Sequence, residues 1–266
     1  MRPDRLVFAA FCFVSGAMLS AAAPAYAAPS DAGLHYKGMA YAVNGGGLRY
    51  SEEHWLFRQQ DTLTRLVLYR CPSGQAFARK WLRYTGKPWM PEFNFEDARD
   101  GYQESVRRSE EGWQVSVRER ADAPAQSAQL SAREDSVIDA GFDAFVQAHW
   151  STLARDEGTR AAFLVPSRFN YLNLSLKPIA GAPQGSRSFK LSLDGWLGAI
   201  APSIQLTYAE ADHRLEEFVG ISNIRDDRGH RQRVRIDFPA EAISATPRTS
   251  DIEAAAKLPL TSRCPP

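Results

Sequence analysis

Apolar and polar residues alternate through much of this 266-residue chain, and this two-residue period limits the folds that it can adopt. Trp113–Arg118, Leu172–Leu176, Phe189–Leu193 and Ile204–Tyr208 each place an apolar side chain at every second position. Successive side chains of a strand point to opposite faces, so these segments predict strands with one buried face and one wet face. Turn residues such as Asn44–Gly47 separate several of the segments and predict antiparallel hairpins.

One stretch, Ser136–Arg155, departs from this period. Its apolar residues have the spacing of one helix face: Ile138, Phe142, Phe145, Val146, Trp150 and Leu153. Ser136 can cap the first turn with Asp139 as its partner, and Gly158 can end the helix. The sequence therefore predicts a mainly β (α+β) fold, in which a strongly curved antiparallel sheet or half-barrel is wrapped around one long helix, 136–155.

The first 27 residues are predicted to be a signal peptide. Arg2 and Arg5 precede an apolar run from Leu6 to Ala23, and Ala25–Ala27 provides a small-x-small cleavage site. The rest of the chain has 30 basic and 30 acidic residues. It has no long basic run, which argues against nucleic acid or an anionic membrane surface as a partner. We expect a periplasmic protein, exported and cleaved near Ala27, with no transmembrane anchor after cleavage.

The remaining chain is predicted to form a single curved β-sheet domain, 28–239, followed by a C-terminal tail, 240–266. Two cysteines remain after cleavage, Cys71 and Cys264. In an oxidising compartment they would form a disulfide that tethers the tail to an early strand. Two separate thiols are the alternative, because spacing alone does not establish a bond.

The sequence contains no recognisable catalytic or metal-binding motif, and its histidines do not have metal-ligand spacing. The predicted helix offers Asp139, Asp143 and His149 as candidate acid or base groups, which would suit an envelope hydrolase. In the opposing interpretation Asp139 caps the helix, Asp143 faces solvent and His149 flanks the apolar stripe. We favour the latter interpretation and expect no metal and no cofactor, with an enzyme as the second hypothesis.

Aromatic residues are spread over many predicted strands, which suits a concave face that holds an apolar ligand. The residues predicted to contact such a ligand are Tyr69, Trp81, Phe142, Phe145, Trp150 and Arg225. Arg225 lies in the polar run Ser222–Arg228, which predicts either the polar rim of a site or a tight turn. For the aromatic residues, the alternative is a plain core filled by the helix.

Five segments resemble a family of uncharacterised exported proteins of Gram-negative bacteria: GLRYSEEHWLF, RLVLYRCPSGQAFARK, VIDAGFDAFVQAHWSTL, FLVPSR and FVGISNIRD. This resemblance covers most of the chain after the signal peptide and implies a periplasmic location, but no activity. In architecture alone, the layout is similar to the curved half-barrels with inner helices of periplasmic lipoprotein carriers, which hold acyl chains in their concavity. The leading hypothesis is an exported protein that binds a lipid or another apolar molecule. An envelope hydrolase and a structural envelope protein are the alternatives.

Overall fold

The computed structural model describes residues 33–155, 157–195, 202–226 and 228–265, so the predicted signal peptide lies outside the described residues. The strands are β1 (Leu34–Ala42), β2 (Leu48–Gln59), β3 (Thr62–Arg70), β4 (Ala76–Tyr84), β5 (Glu92–Asp97), β6 (Gln103–Ser109), β7 (Gly112–Arg118), β8 (Gln126–Ser131), β9 (Ser136–Ile138), β10 (Thr159–Val165), β11 (Asn170–Ile179), β12 (Ser186–Leu193), β13 (Ile204–Ala209), β14 (Leu215–Arg225), β15 (Arg231–Asp237) and β16 (Ser244–Ala245). The helices are α1 (Gly141–Ala148), α2 (Trp150–Ala154) and α3 (Thr249–Lys257).

All of these strands belong to one sheet with the order β8-β7-β6-β5-β4-β3-β2-β1-β15-β14-β13-β12-β11-β10-β9, and β16 pairs with β1. The described pairings are antiparallel except that of β9 with β10. Two meanders, β1–β8 and β10–β15, meet in the middle, where β1 pairs with β15 and Ala40 lies opposite Ile236. The prediction of a mainly β fold with a large antiparallel sheet is therefore confirmed.

The two edges of this sheet are forced to lie near each other. Edge strand β8 ends at Ser131 and edge strand β9 begins at Ser136, so residues 132–135 alone connect opposite ends of the sheet. Five residue steps span at most roughly 18 Å of extended chain. The Tyr171 hydroxyl, on β11, also donates a hydrogen bond to the Ser131 carbonyl oxygen across this gap (3.0 Å). The sheet therefore curves strongly, and it is unclosed because β8 and β9 do not pair.

The predicted long helix 136–155 is wrong. Residues Ser136–Ile138 form β9, with Ser136 opposite Ala162 and the Ile138 N–H bonded to the Trp89 carbonyl oxygen (3.0 Å). Asp139 then adopts a left-handed backbone (φ 45°), so a helix cannot pass through it. The helical backbone begins at Gly141 and is interrupted at His149 (φ −102°, ψ 11°). Only two short helices, α1 and α2, therefore lie in this stretch.

The apolar stripe nevertheless faces the sheet. Phe145, Val146 and Leu153 are buried in a cluster with Leu176, Phe189 and Leu206, on strands β11 to β13. The helical spacing therefore located the face of α1 and α2 that packs on the sheet, although it overestimated their length.

The C-terminal segment packs on the convex face of the sheet. Ile252 and Ala255 of α3 are buried against Trp55, Leu66 and Leu68 of β2 and β3. Beyond the helix, the Thr261 N–H donates to the Ala76 carbonyl oxygen (2.7 Å). The predicted disulfide between Cys71 and Cys264 is present and joins positions 193 residues apart. The segment predicted as a tail is thus an ordered cover of the outer face.

None of the helices among the described residues is long and apolar enough to cross a lipid bilayer.

Removing the disulfide should loosen this cover. For the double variant Cys71→Ala, Cys264→Ala we expect the free energy of unfolding to fall by about 2–4 kcal/mol, because the bond restricts the unfolded chain over a long loop. Chemical denaturation measures this change. A reducing agent should destabilise the wild type by a similar amount and leave the variant unchanged. An equal response of both proteins to the reductant would contradict the prediction.

The start of α1 should not tolerate a side chain. A Cβ at Gly141 would lie 2.4 Å from the Trp89 carbonyl oxygen, so the segment before β5 and α1 would have to separate. We expect Gly141→Ala to destabilise the fold by about 1–3 kcal/mol. Gly47→Ala is the matched control, since a Cβ there meets nothing within 4 Å. Thermal unfolding of the two variants tests the contrast, and equal melting temperatures would contradict it.

Candidate ligand-binding cavity

The curved sheet and α1 enclose a cavity of about 1370 Å³. Strands β2 to β6 supply one wall, strands β10 to β15 the opposite wall, and Phe142, Asp143 and Gln147 of α1 face the same space. This volume exceeds the roughly 300–1000 Å³ of ordinary small-molecule pockets. The interior of the sheet is therefore only partly filled by its helices.

Strands β11 to β13 of the C-terminal meander present an apolar surface to the cavity. Cross-strand pairing of Leu174 with Leu193, and of Leu191 with Ile204, aligns their side chains on the concave face. We call this set the leucine wall: Leu172, Leu174, Leu191, Leu193, Ile204 and Leu206. All except Leu206 are only half-buried, and they line the cavity. The alternation that predicted these strands thus leaves an apolar surface for a ligand to cover.

The wall from the N-terminal meander carries charges. It includes five ionisable side chains at inward positions of β2, β3, β4 and β6: Glu52, His54, Arg65, Lys80 and Glu104. Four of them are buried, and Arg65 is half-buried. Such groups are rare in a protein interior unless they are paired. This wall is the part of the interior that differs from an ordinary core.

Lys80 is the central cation of the charged wall. Its Nζ donates to Asp139 Oδ1 at 2.7 Å, and the two side chains are 5% and 12% exposed. The rings of Tyr69, Phe93 and Phe95 surround the same ammonium at 5.4–5.9 Å. The ion pair fixes Asp139, two residues before α1, to the concave face of β4.

Two carboxyl groups of the cavity have raised pKa values. Burial raises the pKa of Glu104, opposed by a hydrogen bond from the Tyr102 hydroxyl (2.7 Å) and by the charge of Lys80. Burial likewise raises the pKa of Asp143, opposed by the charge of Arg65. Both groups are therefore more readily neutral in the fold than in water, which lowers the negative charge of the cavity.

His54 and Tyr36 form a stacked pair that also lines the cavity. Their ring centroids are 4.4 Å apart and nearly parallel. His54 Nε2 lies 3.2 Å from Glu52 Oε1, yet burial lowers the pKa of His54 despite this neighbour. A neutral imidazole is the favoured form at this position.

Of the residues predicted to contact a ligand, Tyr69 and Phe142 line the cavity. Phe145 and Trp150 do not, because they pack into the cluster between the helices and the sheet. The rings of Trp150 and Phe189 are nearly perpendicular with centroids 5.5 Å apart, and Trp150 stacks on His213 at 4.0 Å. These two aromatic residues belong to the core.

Trp81 lies on the opposite side of the sheet from the cavity. It packs against the convex cluster that α3 covers, while its neighbours Lys80 and Leu82 point inward. Trp81 therefore does not line this cavity.

Arg225 lies at the end of β14 and does not line the cavity. Its guanidinium is 2.6 Å from Glu119 Oε2, 3.6 Å from Asp100 Oδ2 and 3.7 Å from the centre of the Tyr102 ring. Next to it, Asp226 Oδ1 accepts the backbone N–H groups of residues 228 and 230. Ser222–Arg225 therefore belong to β14, the chain turns after it around Asp226, and Arg225 is a paired arginine and not a free anion clamp.

The candidate acid and base groups are separated by the structure. Asp139 and Asp143 line the cavity, whereas the Nδ1 of His149 lies 2.9 Å from the Phe145 carbonyl oxygen and its ring packs on Phe145 and Trp89. Asp143 does not face bulk solvent, and Asp139 pairs with Lys80 instead of capping a helix. Within the described ranges, no group of three His, Cys, Asp or Glu side chains could hold a metal ion.

No family model matches this sequence, and no curated protein is significantly similar to it.

The raised pKa of Glu104 makes a pH-dependent prediction. A carboxyl group whose pKa is higher in the fold than in the unfolded chain costs stability when it is ionised, and this cost disappears as the pH falls below both values. We therefore expect Glu104→Gln to be more stable than the wild type at pH 8, because the amide can still accept the Tyr102 hydrogen bond without a buried charge.

The difference in the free energy of unfolding between the variant and the wild type should shrink towards zero as the pH falls to the ordinary pKa of a glutamate carboxyl group, near 4.5. Urea unfolding between pH 4 and pH 8 measures it. Glu111→Gln is the control, since this exposed side chain at the β6–β7 turn gives up no buried charge. A variant that is less stable than the wild type at pH 8 would overturn this assignment.

Proposed function

We propose that this chain is a non-enzymatic protein of the periplasm, which holds a lipid or another apolar molecule in the concavity of its sheet. The observation that carries the proposal is the cavity of about 1370 Å³ with the leucine wall on one side. A protein that used its helices only to complete its core would have had its concave leucines covered by α1 and α2. Here all of them except Leu206 remain half-buried and line open space.

The size of the cavity suits a hydrocarbon chain. Each buried methylene contributes about 0.8 kcal/mol, so about twelve of them contribute on the order of 10 kcal/mol. This gain is comparable with the roughly 4–15 kcal/mol lost in translational and rotational freedom on association. A long chain, and not a short apolar molecule, is therefore the better occupant.

The periplasmic location belongs to the same proposal. It is supported by the predicted signal peptide in residues 1–27 and by the disulfide between Cys71 and Cys264, a bond that persists in oxidising compartments.

An envelope hydrolase has less support. His149 is held in the helix–sheet core, and Asp139 is engaged by Lys80, so the three candidate groups do not converge on one point of the cavity.

Larger side chains in the leucine wall should reduce the amount of ligand that the cavity holds. We expect the protein purified from periplasm to release an apolar molecule on solvent extraction, detected by mass spectrometry at about one per chain. Leu172→Trp and Leu191→Trp should each lower this yield several-fold, because the larger ring occupies space that the ligand needs.

Val43→Trp is the matched control, since Val43 is 39% exposed and lies outside the cavity. Circular dichroism and thermal unfolding show whether each variant folds. A wild-type protein that is reproducibly empty would refute the proposal, as would an equal yield from the wild type and both cavity variants.

A further inference from the structure

Arg65 is the unusual residue of the charged wall. It points inward from the middle of β3, where its cross-strand neighbours are Leu56 on β2 and Leu82 on β4. All three side chains line the cavity. The side chain of Arg65 thus leaves the sheet between two leucines, where less water competes for its hydrogen bonds than at the surface.

No described residue forms a hydrogen bond or an ion pair with Arg65. Its Nε is buried and has no partner, and the contact that its guanidinium makes is with the ring of Tyr84, 5.8 Å from the centroid. Other arginines of the sheet are engaged: Arg79 pairs with Glu96, and Arg70 pairs with Glu53. Buried donors are nearly always satisfied, so an open donor in a cavity indicates a missing acceptor.

The acidic side chains of the cavity do not supply that acceptor. Asp139 is bound to Lys80 at 2.7 Å, and Glu104 accepts the Tyr102 hydroxyl. Asp143 acts on Arg65 only through the longer-range field, and burial favours its neutral form. The cation therefore keeps its charge available to a group that enters from the cavity.

We propose that Arg65 is the anchor for the anionic group, a carboxylate or a phosphate, of an amphiphile whose hydrocarbon chain lies along the leucine wall. This inference rests on the proposed function and names the class of ligand. A guanidinium presents a planar fork of N–H donors that matches the oxygens of a carboxylate or a phosphate, and such charge-assisted pairs are the strong ones.

The test compares probes that share a chain and differ in their head. Dodecanoate, dodecyl phosphate and dodecan-1-ol are titrated by calorimetry into protein that has been freed of bound lipid. Inorganic phosphate and acetate serve as head groups without a chain. For the wild type we expect both anionic amphiphiles to bind about tenfold or more tighter than the alcohol, and the two chainless anions to bind far more weakly.

The variant Arg65→Gln should bring the anionic amphiphiles to the level of the alcohol and leave the affinity for the alcohol unchanged within about threefold. Arg65→Lys, which keeps the charge but loses the fork, should retain part of the preference. The matched control is Arg83→Gln, because this exposed arginine of β4 does not line the cavity. It should bind like the wild type.

The outcomes separate the inference from the proposed function. If no amphiphile binds, both are overturned. If the alcohol binds as tightly as the anions in the wild type, or if Arg65→Gln keeps the preference, the inference is overturned and the apolar cavity stands. If inorganic phosphate binds as tightly as dodecyl phosphate, the site binds a free anion and the assignment of an amphiphile as the ligand is overturned. If the Arg65 variants do not fold, the probes on the wild type still decide whether the cavity prefers an anionic head, and a wild type without that preference overturns the inference.

Discussion

The shape of the molecule depends on one short connection. Residues 132–135 join strands from opposite edges of the sheet, so the two meanders must bend towards each other until their free edges are neighbours. A flat sheet of this width would have left one face to solvent. Because the sheet is curved, it surrounds an interior that α1 and α2 fill only in part. The cavity is thus a consequence of connectivity, and the side chains decide only what it can hold.

The charged side chains of the cavity are hard to explain as contributions to the stability of the fold. Removing Lys80 and Asp139 from water costs several kcal/mol per ion, and well-packed apolar residues often stabilise a fold as well as a buried ion pair does. This pair does fix the start of α1 on β4, a positioning role. Glu104, with its raised pKa, and Arg65, with its open Nε, have no comparable role in packing. They are easier to understand as parts of a surface that meets a polar group.

Much of the sheet could be predicted because alternation is local: the leucines of β11 and β12 show their period within a few residues. The helix could not be bounded in the same way, since Val137 and Ile138 are β-branched and pair with β10, a partner that follows later in the chain. The face of β4 on which Trp81 lies could not be read from the sequence, because α3 covers the convex face and both sides of β4 carry apolar residues. The sequence did contain one usable signal for the site, Lys80 among Ala78, Leu82 and Tyr84 on the inward side of that strand.

The two walls of the cavity come from different parts of the chain, and this division constrains the ligand more than the volume does. The N-terminal meander contributes Arg65, Lys80 and Glu104, whereas the C-terminal meander contributes the leucine wall. A purely apolar molecule would leave Arg65 without water or a partner, and a purely polar one would leave the leucines uncovered. Only a molecule with both characters satisfies both meanders at once. An amphiphile is therefore the occupant that the arrangement of this sheet favours.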